Sequence, residues 1–147
     1  STDAIVMGRT TYETVLGFVE GGIPWPYGSK PLYVLSHQPQ TISIPIDLVG
    51  NSVKAISGDP SEVLTKVTAD VRGSDTSKST NIYVDGGRCI RSFMDADLVT
   101  AAVITKVPVT LGQGVPLFSS EDQAKKLQEL NSITLANGFV QTTYSVL

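Results

Sequence analysis

The chain has 147 residues, 41% of them hydrophobic and 17% charged, with a formal net charge of −3. That composition fits a single globular domain over residues 1–147 and excludes a disordered chain, while the acidic balance argues against a nucleic-acid partner. A single Cys excludes an internal disulfide framework and a Cys-rich zinc site, a single His argues against a His-based metal centre, and no apolar stretch reaches the ~18 residues of a membrane span. The expectation is a cytoplasmic protein with no membrane partner.

Residues 4–7 form a short apolar run that reads as a strand buried on both faces. Gly8, Arg9, Thr10 and Thr11 turn it straight into a helix, with Thr10 or Thr11 as the cap and Glu13 available for a capping box. Tyr12, Val15, Leu16 and Val19 give that helix an apolar stripe, and Gly17 followed by Gly21-Gly22 ends it. A loop studded with Pro24, Pro26 and Gly28 follows. Residues 31–36, PLYVLS, read as a strand, residues 37–51 as a long irregular connection, and residues 53–57 as another short strand. Asp59 as cap, Pro60 at the first helical position and Glu62 in a capping box open the clearest helix, with Val63, Leu64, Val67 and Val71 along it. Residues 73–80 read as a polar surface loop.

Residues 81–85, NIYVD, form the next strand. Gly86-Gly87 then opens a helix that carries Ile90, Phe93 and Met94 on one face, and residues 98–105 form another apolar strand. Beyond the Gly- and Pro-rich stretch 108–118 lie a helical turn at 120–127 and two strands, 133–136 and 139–146. These two flank Asn137-Gly138, which signals a two-residue type I′ hairpin. Alternating strands and helices imply a mostly parallel α/β sheet with right-handed crossovers, closed by an antiparallel hairpin.

Open α/β sheets bind ligands beyond the carboxyl ends of their strands. Three such ends carry suggestive residues. Gly8 permits close approach, the helix start at Thr10 and Thr11 offers free N–H groups, and Arg9 adds a fork matched to phosphate. The plain alternative is a threonine cap with Arg9 in water. Ser36 suits a ribose or phosphate and His37 an adenosine, unless they form an ordinary polar turn. Gly86-Gly87, followed by Arg88 and Cys89, lets the backbone pass close to a diphosphate, or is simply a tight turn. Together the three ends describe an extended, anionic ligand of the dinucleotide kind.

The segments MGRTTYE, PLYVLSHQP, NIYVDGGRCIRSFM and ITKVPVTLGQGVPLF, in this order, resemble the dihydrofolate-reductase-like superfamily. They are most similar to its small bacterial members and to the reductase domain of the bifunctional riboflavin-biosynthesis enzyme. The resemblance implies a three-layer, mostly parallel sheet with a C-terminal antiparallel hairpin, and NADPH as cofactor. It implies that Gly8, Arg9, Thr10 and Thr11 hold phosphates and that Ser36 and His37 face the adenosine end and its 2′-phosphate. Asp85, Gly86, Gly87, Arg88, Cys89 and Ile90 would lie on the diphosphate and nicotinamide side. A cis peptide at Gly86–Gly87, or at Asp85–Gly86 if the alignment slips by one residue, is part of the same pattern. Thr105 matches a position lining the substrate pocket, and the GQG at 112–114 shapes a loop beside it or makes a plain turn.

Tyr12 and Trp25 are further substrate-side candidates, with ordinary packing the alternative for Trp25. Asp85 orients either the glycine turn or a ribose hydroxyl. Members of this family begin with a further central strand and a loop over the nicotinamide, so the resemblance also implies an N-terminally incomplete domain. The function expected is an NADPH-dependent reductase passing hydride to a pterin- or pyrimidine-like small molecule, with no catalytic acid nominated. The alternatives are a non-catalytic nucleotide-binding domain, or a homodimeric scaffold using the hairpin or a vacant sheet position.

Overall fold

The computed structural model describes residues 2–73, 79–107, 112, 114 and 117–147. Contacts gather the chain into two units, residues 1–92 and 93–147.

The first unit is built on β1 (Ala4–Gly8), whose apolar residues are buried from Ala4 to Met7. The chain runs on through α1 (Arg9–Glu20), β2 (Leu32–Leu35), a 3-10 turn (Pro39–Thr41), α2 (Ile46–Val49), β3 (Val53–Ile56), α3 (Pro60–Arg72) and β4 (Ile82–Asp85). The four strands make one sheet in the order β3-β2-β1-β4, and every pair is parallel. Met7 stands opposite Val34 on β2 and Asp85 on β4. Side chains alternate across a sheet. Ile5 and Met7 therefore join Leu32 and Val34 on one face, where Tyr12 and Leu16 of α1 complete the core with Val49 and Val53. Tyr33 belongs to the other face, and its hydroxyl donates to Asp70 of α3, so α3 is tied to that side.

α1 departs from the sequence reading at its start, while its end falls at Gly21 as expected. It is not capped by Thr10 or Thr11. Its cap is Gly8, still in extended backbone and without a side-chain bond, because β1 runs directly into the helix and leaves no residue between them. The helix runs through Gly17 and stops at Glu20, where Gly21 is the C-cap. By contrast α3 begins as its sequence demands: the Asp59 carboxylate accepts from the Glu62 amide at 2.9 Å, with Pro60 in the first turn. That bond holds the Asp59 carboxyl below its ordinary value. The connection after β2 is less irregular than expected, since it contains both the 3-10 turn and α2. Most of the polar stretch 73–80 lies outside the described residues.

α4 (Gly87–Asp95) starts in the first unit and ends in the second. The second unit then holds β5 (Ala101–Lys106), a short α5 (Glu121–Lys125), β6 (Leu127–Thr134) and β7 (Val140–Val146). These strands form an antiparallel sheet in the order β5-β7-β6. β5 was expected to continue the parallel series; it pairs with β7 instead, along its whole length. The hairpin is present, but its turn is not type I′. That turn needs a left-handed backbone at both central residues, and of the two only Gly138, at φ 85°, adopts it. Leu135 bonds Phe139 across a three-residue loop, and the Asn137 side chain accepts from the Phe139 amide. The Asn137 carboxamide thus closes the loop without twisting its own backbone.

Candidate functional site

In the first unit the chain moves outward from β1 to β2 and β3, then crosses back to place β4 on the other flank of β1. The reversal makes a topological switch point between β1 and β4, where doubly wound sheets open a crevice at the carboxyl ends. Gly8 ends one of these strands and Gly86 follows the other, and the helices that begin there, α1 and α4, turn their amino ends toward the same rim. The carboxyl end of β2, with Ser36 and His37, lies beside β1 on that rim, Gly8 standing opposite Leu35. The register therefore brings Gly8, Ser36 and Gly86 to one edge.

Gly86 is required by geometry. Its φ is +92°, and a Cβ added to it would stand 2.5 Å from Thr11 Oγ1. Only bare backbone fits against the first turn of α1 here. No cis peptide occurs among the described residues, so neither Gly86–Gly87 nor Asp85–Gly86 is one; the left-handed Gly86 makes the sharp turn with trans bonds. Asp85 Oδ1 accepts from the Gly86 amide at 2.8 Å, so the carboxylate orients the glycine turn. Gly87 is exposed, and a Cβ there would meet the Arg91 guanidinium at 3.2 Å.

The amino end of α1 is electrostatically unusual. It has no side-chain cap and no acidic residue in its first turn, and its first residue is Arg9. A cation beside the positive end of a helix dipole is unfavourable, so local sequence leaves this end short of negative charge. The Arg9 guanidinium is not free in water. Nε donates to Glu13 at 3.3 Å, Nη1 to Thr41 Oγ1 at 2.6 Å and Nη2 to the Thr41 carbonyl at 3.4 Å. Thr10 is exposed and its carbonyl accepts from Thr14, while Ser36 Oγ accepts from the Gln38 amide and His37 is exposed.

Cys89 is buried one turn into α4, and a Cβ at Gly8 would reach its Cβ at 3.9 Å. Burial pushes its thiol up to about 11, and the Asp85 charge adds to this. The folded thiol holds its proton more tightly than the unfolded one. Its stabilising contribution is therefore intact below the unfolded value of ~8.5 and fades as pH rises toward about 11. Alkylation of Cys89 by iodoacetamide at pH 7.5 is expected to run on the order of 100-fold slower than for a free thiol. Mass spectrometry of timed aliquots measures this; reaction at the free-thiol rate would contradict the buried, protonated state.

Two candidates, Tyr12 and Trp25, pack into the core. Tyr12 is wholly buried and its hydroxyl donates to the Ser43 carbonyl at 2.6 Å, so it serves the core rather than a substrate surface. Trp25 packs edge-on against Tyr12 and Tyr27, the packing role. Arg88 is exposed in the first turn of α4 and Ile90 is half-buried behind it. Thr105 lies in the second unit, exposed on β5 opposite Gln141. Of the GQG, Gln113 lies outside the described residues. Surface depressions also occur along α3 and β3, where Tyr33, Lys54, Lys66 and Asp70 line one of them. Its polar groups are engaged within the fold: Asp70 accepts from Tyr33 and pairs with Lys54 at 3.0 Å, and Lys66 donates to the Ser57 carbonyl at 3.2 Å.

Sequence reasoning missed two residues. Thr41 is distant in sequence from Arg9 and nothing local signals their contact. Arg91 had a signal: four residues after Gly87 on a helix, it lies over that glycine.

No protein-family profile matches the chain. A Bacillus subtilis (strain 168) protein, the uncharacterized YwjB, is 28% identical over 130 residues, covering 87% of this chain and 65% of its own length. This chain thus spans a little under two thirds of that relative. A crystal structure from Shewanella sp. PV-4, described as a riboflavin biosynthesis protein, superposes with a TM-score of 0.77 at 31% identity, over 99% of this chain and 75% of that one. A pyrimidine reductase-like protein from Corynebacterium diphtheriae gives 0.62 at 17% identity, over 99% and 76%, which speaks for the fold alone. Agreement in sequence as well as fold with the Shewanella protein matches the resemblance carried by the strand-end motifs, and the chain belongs to the dihydrofolate-reductase-like superfamily, with the riboflavin-biosynthesis reductase-like proteins.

Proposed function

We propose that this chain forms the cofactor-binding part of a cytoplasmic NADPH-dependent reductase acting on a pyrimidine- or pterin-like small molecule. The observation that carries the reading is the switch point, where two glycine junctions and two helix amino ends share one rim. A diphosphate suits that rim. It would supply the negative charge that the uncapped first turn of α1 lacks, and Gly8 and Gly86 present backbone without side chains.

In this reading Gly8, Arg9, Thr10 and Thr11 hold phosphate oxygens from one side and Gly86, Gly87 and Arg88 from the other. Ser36 and His37 receive the adenosine end. Asp85 keeps the Gly86 turn in shape, and Cys89 and Ile90 back the rim with apolar bulk. NADPH, when bound, supplies the hydride that the reduction needs. The substrate class rests on the riboflavin biosynthesis and pyrimidine reductase-like descriptions of the two structural neighbours.

Thermal melts with NADPH, NADH and no ligand test the cofactor. NADPH at 100 times its dissociation constant is expected to stabilise the fold by ~2.7 kcal/mol. An unchanged melt at millimolar NADPH would remove the reading.

A further inference from the structure

We propose that Thr41 is a positioning residue for the Arg9 guanidinium, and that the 3-10 turn carrying it is part of the cofactor grip. This rests on the NADPH reading above. The single Thr41 hydroxyl does two things at once: it accepts from Arg9 Nη1 at 2.6 Å and donates to the Gln38 carbonyl at 2.7 Å. The Thr41 carbonyl takes Nη2, and Glu13, one turn along α1, takes Nε. A guanidinium has five N–H donors in a rigid plane. Three are committed to Thr41 and Glu13, which fixes the plane and leaves one N–H on each terminal nitrogen for a ligand.

The turn is itself anchored. Just beyond Thr41, Ile42 and Ile44 pack against the core and the Ser43 carbonyl accepts from the buried Tyr12. Arg9 and Tyr12 lie one turn apart on α1 and grip neighbouring residues of this segment. The position of Thr41 is thus set by the core, and the position of the Arg9 charge is set by Thr41. A long side chain immobilised before binding loses less rotamer freedom when a phosphate arrives. Without the hydroxyl, Arg9 keeps its charge but loses its shortest tie, leaving only Glu13 at 3.3 Å and the Thr41 carbonyl at 3.4 Å to hold it.

The test is a double-mutant cycle read by NADPH affinity. Thr41→Val is expected to weaken NADPH binding about fivefold in the otherwise unchanged chain. It should do nothing further in the Arg9→Ala background, and Thr41→Ser should restore binding. The Arg9 Nε–H resonance, observed without ligand, should broaden or shift in Thr41→Val and return in Thr41→Ser. Equal losses in both backgrounds, or no loss in either, would overturn the positioning role while leaving the cofactor reading intact. Failure of the unchanged chain to bind NADPH would overturn both. Thr41 is exposed on a surface turn, so the variants are expected to fold, and thermal melts verify it.

Discussion

Gly86→Ala is expected to destabilise the fold by roughly 2–4 kcal/mol, lowering the melting temperature by about 5–15 °C. Two separate costs act. The backbone at φ +92° is one that a residue with a side chain adopts only under strain, and the new methyl would stand 2.5 Å from Thr11 Oγ1. Removing the obstacle in Thr11→Ala/Gly86→Ala should recover the steric part and leave the backbone part. Gly8→Ala is the control. Gly8 has φ −73° and nothing closer than 3.9 Å to its missing Cβ, so the substitution should change the melt little. Chemical denaturation of the four proteins settles the matter. A Gly86→Ala protein as stable as the parent would mean that the β4–α4 turn is not built as described.

Arg9→Ala is expected to weaken NADPH binding by about 10- to 100-fold, the range of a charged hydrogen-bonding group lost from an anion site. Stability should move the other way or hardly at all. The exposed bonds to Glu13 and Thr41 together contribute on the order of 1 kcal/mol, and removing a cation from the amino end of α1 relieves a repulsion of similar size. A large binding loss with an unchanged melt separates ligand recognition from folding. Calorimetric titration alongside denaturation reads both quantities. Retention of full NADPH affinity would show that the guanidinium holds no phosphate.

Much of this was legible in the residues, for reasons that differ from element to element. The apolar run that became β1, and the Asp59-Pro60-Glu62 start of α3, are local signals, and local physics decides them. The ends of the first-unit strands were readable because the apolar runs stop at Gly8, Ser36 and Gly86. The threonine cap of α1 failed because β1 and α1 share a boundary residue, Gly8, which no propensity scale anticipates. The partner of β5 was hidden because parallel and antiparallel pairing are set by topology rather than by the strand's own sequence. Tyr12 looked like a site residue because it follows the motif, yet helical periodicity turns it into the core. The bond between Arg9 and Thr41 was invisible for the simplest reason: it joins segments that only the folded sheet brings together.

The order of strands has a bearing on how the crevice comes into being. In chain order β2 joins β1 and β3 joins β2, but β4 must wait for α3 to carry the chain back across the sheet, and among the described strands it pairs with β1 alone. One bank of the cleft is therefore the last to be added in chain order. A molecule bridging both banks would staple the latecomer in place, so that occupancy and the docking of β4 become a single linked equilibrium.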